Sequence, residues 1–112
     1  MKLIELQLKI LPWVRHNFPD ENLSTALLGL CEEVGEAARC QVKATQGIRG
    51  TEEQWMAELR KEIGDVVIKA AHVCIVEGWS LDAVVRERWD VVKQRDFVKD
   101  RQGHGLPTEE AL

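Results

Sequence analysis

The chain has 112 residues, 45% hydrophobic and 30% charged, with a formal net charge of −4 at pH 7, which suits one globular domain and leaves no room for a second. The negative balance argues against nucleic acid or an anionic membrane surface as the main partner. Met1 to Trp13 is apolar only at intervals, broken by Lys2, Glu5, Gln7 and Lys9, and reads as neither a signal peptide nor a membrane span. Cys31, Cys40 and Cys74 are odd in number and form no CxxC. Small buried hydrophobes, reduced in a cytoplasmic protein, are the simplest reading.

Residues 2–17 carry Leu3, Ile4, Leu6, Leu8, Ile10, Leu11 and Val14 at broadly helical spacing, and Pro12 predicts a kink or a fresh start. A turn cluster over residues 17–22 follows, and Asn22 or Ser24 caps a second helix running from about Leu23 to Ala44. Gly47 closes it. Gln46-Gly47-Ile48-Arg49-Gly50 is the one internal loop with two glycines. Thr51 followed by Gln54 is a capping-box signature, so a third helix runs from there to about Glu77, where Gly78 ends it. Trp79 and Ser80 read as staple and N-cap of a fourth helix, whose apolar stripe is Leu81, Val84, Val85, Trp89 and Val92, extending to Phe97. No alternating strand pattern is flanked by hairpin turns. The expectation is an all-α, four-helix bundle forming a single domain over residues 1–100, with a flexible C-terminal tail over residues 101–112. A core this small favours completion by oligomerisation.

One pattern occurs twice: Glu33-Val34-Gly35-Glu36, preceded by Glu32, and Glu62-Ile63-Gly64-Asp65. On a helix the i and i+3 carboxylates share a face. Two such helices side by side present four carboxylates to one small volume, and a divalent cation is the natural neutraliser. A lone i,i+3 acid pair is ordinarily just solvated. Here the spelling repeats. Each copy holds a glycine that costs about 1 kcal/mol against alanine in a helix, which suggests close approach by a neighbouring helix or ligand. The flanks (Leu27, Leu28, Leu30, Val66, Val67, Ile68) are apolar, placing the acids at a core edge. No Glu-x-x-His, HExxH, P-loop or GxSxG is present, and all-oxygen ligands favour Mg²⁺ or Mn²⁺ over zinc.

Glu32-Glu33-x-x-Glu36 followed by Glu62-x-x-Asp65 resembles the EExxE…ExxD motif of the MazG-like all-α nucleotide pyrophosphohydrolases, and of the related dimeric dUTPases and dCTP pyrophosphatases. The resemblance spans about residues 10–98 and includes Asn22-Leu23, the Gly47–Thr51 connection and residues 89–97. It implies a MazG-type four-helix core, a homodimer or homotetramer, and Mg²⁺-dependent cleavage of a nucleoside triphosphate to the monophosphate and pyrophosphate, as in cleansing of the nucleotide pool. Glu33, Glu36, Glu62 and Asp65 match the family's metal ligands. Glu32 matches the leading acid, which orients or deprotonates water or holds a further metal. The family places basic residues near Lys93 and Arg95, the first choice for phosphate contacts, against the alternative that they serve the helix dipole.

Arg49 could fold over a substrate from the glycine loop. Trp55, seven residues before Glu62, could stack on a base, and Trp13 and His16 could line the same pocket. Lys69 is explained by an i,i+4 ion pair with Asp65, and His72 reads as a packing or surface residue rather than a ligand. Two alternatives stand beside the enzyme: a metal- or nucleotide-binding helical module without turnover, and a purely structural bundle with solvated acids.

Overall fold

A computed structural model describes residues 1–100, so the expected tail lies outside the described residues. The described residues form four helices and no strand: α1 (Leu3–Asn17), α2 (Leu23–Gln46), α3 (Glu52–Glu77) and α4 (Leu81–Val92). None is long and apolar enough to cross a membrane. The chain divides into two compact units, Met1–Leu81 and Asp82 onward.

The helix ends follow local chemistry. Of the two candidate caps for α2 it is Asn22 that acts. Its side chain accepts from the Thr25 N–H at 3.0 Å, and Thr25 Oγ1 accepts from the Asn22 N–H at 3.1 Å. Thr51 and Gln54 form the second capping box, with reciprocal bonds of 3.1 and 2.9 Å. Losing such a cap costs about 1 kcal/mol. Gly78 takes the left-handed conformation (φ 73°). It lets the Trp79 and Gly78 N–H groups reach the carbonyls of Cys74 (2.8 Å) and Ile75 (3.2 Å), so orphan carbonyls at the end of α3 are satisfied. The fresh start expected at Pro12 does not occur. α1 runs through Pro12, an exposed position rather than a core one, where a lost backbone bond is better tolerated.

α2 and α3 pack along each other in opposite directions. Gly29 lies against Lys69, Glu33 against Glu62, and Arg39 over Trp55, a pairing imposed by the short Gly47–Thr51 connection. The buried residues of α2 are small: Ala26, Ala37, Cys40 and Ala44. Small side chains allow the two backbones to approach. α1 packs on α3 through Ile10 and Val14, which cluster with Ala71, Cys74 and Leu81. Gln7 fastens the same end: its Nε2 donates to the Trp79 carbonyl at 2.8 Å and its Oε1 accepts from the Leu81 N–H at 2.7 Å.

The turn between α1 and α2 is held by Phe18. Its ring lies 5.2 Å from that of His72 and 5.6 Å from that of Trp13. His72 is 1% exposed and neither ring nitrogen has a hydrogen-bond partner, so of the packing and surface positions open to it, it takes the packing one. The nearest acid oxygen, Oε2 of Glu21, stands 3.9 Å from Nε2.

In the second unit Arg86 pairs with Asp82 at 2.7 Å and Lys93 with Asp90 at 3.1 Å. α4 stops at Val92, short of the Phe97 that its apolar stripe was expected to reach. Asp96 instead caps a following turn, accepting from the Val98 and Lys99 N–H groups.

Two predictions follow from this packing. Gly50 adopts φ 148°, and an added Cβ would stand 3.0 Å from Trp55 Nε1, so Gly50→Ala should lower urea-unfolding stability by about 1–2 kcal/mol. Burial lowers the His72 pKa below its ordinary 6.5, against a smaller opposing pull from Glu21. The unfolded chain therefore takes up a proton first. The contribution of His72 to stability should fall as pH drops below about 6.5, read in urea titrations across pH 5–8 as a wild-type-minus-His72→Phe difference that shrinks toward pH 5.

Candidate metal centre

The antiparallel pairing of α2 and α3 decides which acids meet. One carboxylate oxygen each from Glu33, Glu62 and Asp65 lie within 4.8 Å of one another. Glu33 and Glu62 are half-buried between the helices and Asp65 is exposed. Oε2 of Glu33 and Oε2 of Glu62 are closed off from solvent with no hydrogen-bond partner. Carboxylates this close repel strongly wherever water is excluded. Glu62 carries the consequence: its pKa is pushed up from 4.5 to about 7. The largest cause is the hydrogen bond its protonated form shares with Glu33, followed by desolvation and the charges of Glu36, Glu33 and Asp65.

This donor set fits a hard divalent cation. It offers three carboxylates, two of them with a buried oxygen lacking any partner, and the third, Asp65, on the exposed side. Of the four ligands expected, Glu36 is not in the trio. It is exposed, though near enough for its charge to act on Glu62. Glu32 is exposed and also outside the trio.

Beside the trio opens a cavity of about 630 Å³ lined by Lys9, Ile10 and Trp13 of α1, Glu33 of α2, and Asp65, Ile68 and Lys69 of α3. Trp13 is therefore where a pocket residue was expected, whereas His16 is exposed and does not line it. The sequence pattern does not mark Lys9, Ile10 and Ile68 as pocket residues. Lys9 and Trp13 stand at i,i+4 on α1, a spacing that could have flagged their shared face. The expected Asp65–Lys69 ion pair does not form: no salt bridge of the described residues includes either residue. The Lys69 ammonium instead lies 4.9 Å from the centroid of the Phe18 ring.

Trp55 and Arg49 are together but elsewhere, lining a separate cavity of about 410 Å³ with Gly50, Gln54, Ala57 and Glu58. Trp55 Nε1 donates to the Ile48 carbonyl at 3.3 Å, and the Arg39 guanidinium lies 5.7 Å over its ring. These contacts close the glycine loop. Arg49 takes a left-handed backbone (φ 58°) unusual for a residue with a Cβ. Lys93 and Arg95 follow α4 in the second unit. Their N–H groups bond the carbonyls of Trp89 and Val92, and Lys93 also pairs with Asp90. Cys40 and Cys74 are buried, and desolvation raises both thiols, with Glu62 and Glu58 adding to the rise at Cys40. Cys31 is exposed, contrary to expectation. An added Cβ at Gly35 or Gly64 would meet nothing within 4 Å, so no neighbour among the described residues makes the close approach expected there.

No protein-family model, curated protein or solved structure matches this chain.

The raised pKa of Glu62 has a definite sign. Between pH 4.5 and about 7 the folded state holds a proton that the unfolded chain has released. Metal-free stability therefore falls as pH rises through that interval and stays reduced above it. In EDTA, Glu62→Gln should melt higher than the wild type at pH 8, and the difference should vanish near pH 4.

Proposed function

We propose that this chain is a Mg²⁺-dependent nucleoside triphosphate pyrophosphohydrolase of the MazG-like type, releasing a nucleoside monophosphate and pyrophosphate, with Mn²⁺ as a substitute ion. One observation carries the reading: two buried, unpartnered carboxylate oxygens of Glu33 and Glu62 stand with Asp65 at the edge of a cavity that also offers an aromatic face and two cations. Glu33, Glu62 and Asp65 would hold the ion. When bound, it neutralises the charge that builds on the phosphoryl oxygens during transfer.

The chain's own residues supply the rest. Trp13 and the apolar flanks of Ile10 and Ile68 suit a flat nucleobase. Lys9 and Lys69 suit phosphate oxygens. Exposed Glu32 and Glu36 lie on the same helix as Glu33, one residue before it and one turn after it, where a carboxylate can orient or deprotonate water. No covalent nucleophile is required. Lys93, Arg95, Arg49 and Trp55 remain candidates for substrate contact, with Arg49 and Trp55 less favoured because they line the other cavity.

The same reading includes a homodimer or homotetramer in the cytoplasm. The second and third residues of each acidic repeat, Val34-Gly35 and Ile63-Gly64, face outward. Val34 is 51% exposed and Ile63 54%, with open space over both glycines. With Leu27 and Val67 they form apolar stripes at helical spacing on the two antiparallel helices. A second copy laid across them completes a four-helix bundle and uses the space above the glycines.

Two tests follow. A panel of canonical and modified NTPs and dNTPs with Mg²⁺ should show pyrophosphate release from at least one member, abolished in Glu33→Gln while far-UV circular dichroism is unchanged. Silence across the panel, also with Mn²⁺, leaves the non-catalytic binding module. By light scattering the wild type should have a mass that is a multiple of 12.7 kDa, and Leu27→Glu should shift it toward a single chain; a monomeric wild type sinks the assembly.

A further inference from the structure

Lys69 sits where electrostatics alone would not leave it. It is one turn after Asp65, at the spacing that favours an ion pair, and beside three carboxylates without a cation. Yet it pairs with none of them. Its ammonium rests 4.9 Å from the centre of the Phe18 ring, and its side chain runs across Gly29 of α2, where even a Cβ would be 3.6 Å from Nζ. Phe18 is in turn seated between Trp13 and buried His72. The turn between α1 and α2 thus presents an aromatic face that competes with Asp65 for the lysine.

We propose that Phe18 is a positioning residue: its ring holds the Lys69 ammonium away from Asp65, leaving Asp65 open to the divalent cation and the ammonium facing the cavity. An Asp65–Lys69 pair would do double harm. It would neutralise one ligand of the trio and place a positive charge where the ion must enter. The arrangement keeps a lysine for an anionic ligand close to a cation site without the two cancelling. This inference rests on the metal-centre reading of Glu33, Glu62 and Asp65.

The test is Mn²⁺ binding by electron paramagnetic resonance on the full chain, without nucleotide, at pH 7.5. Phe18→Leu should weaken Mn²⁺ binding roughly five-fold, the scale of a partly exposed ion pair. Phe18→Tyr keeps the ring and should bind as the wild type does. Lys69→Met should leave affinity within about two-fold of the wild type or tighten it. The decisive variant is the double one: Phe18→Leu with Lys69→Met should return to wild-type affinity, because the competing ammonium is gone. Should Phe18→Leu not fold, Phe18→Met, similar in volume but without a ring, takes its place in both backgrounds. Unchanged binding in the ring-less variant overturns the proposal, as does weak binding that persists in the double variant, since Phe18 would then act through packing alone. A wild type that binds no Mn²⁺ overturns the metal centre itself, and this inference with it.

Discussion

Three carboxylates brought within a few ångströms are an electrostatic cost, and the first unit is arranged around it. Glu33 and Glu62 are held half-buried by the α2–α3 pairing, with Asp65 at the rim. Water cannot reach one oxygen of each buried acid, and no donor replaces it. Without an ion the strain is met by a proton: Glu62 keeps one to about pH 7. A proton and a divalent cation are alternative answers to the same repulsion, and only the cation answers it for all three groups at once.

The rest of the unit serves that pairing. Capping boxes at Asn22 and Thr51 start the two long helices, and the glycines at 47 and 78 stop them. The small buried residues of α2 let α3 come close. α1 gives Ile10 and Val14 to the core cluster and supplies the wall of the cavity with Trp13 and Lys9. Gln7 ties both ends of the Trp79–Leu81 connection to α1. Aromatic packing about Phe18 fixes the other end of α1, and the Phe18 ring takes the Lys69 ammonium. The exposed Val34-Gly35 and Ile63-Gly64 pairs lie in the same repeats as the clustered acids. The proposed surface for a second copy and the proposed metal site would thus be opposite sides of one motif.

The helices could be read from the chain because each boundary is a local event. A cap, a left-handed glycine or a helical apolar period involves residues three to five apart, and sequence order displays them. The departures were equally local. Proline was tolerated at an exposed position of α1. The α4 pattern extended past the point where the backbone turns at residues 93–95. The acidic repeat told that four carboxylates share helix faces, but not which would converge. That depends on how two helices slide and rotate against each other, and here it leaves Glu36 outside the trio.

Sequence by itself determined an all-α chain, its four helices, their caps, and a doubled acidic motif on neighbouring helices, because those features depend on short-range spacing. Tertiary structure decided the rest. It selected Glu33, Glu62 and Asp65 from the acids, moved the aromatic wall from Trp55 to Trp13, and drew Lys69 from Asp65 to Phe18. Each choice is a competition between partners far apart in the chain. A lysine at i+4 always has its acid in the sequence; only the fold brings an aromatic ring from another element to contest it.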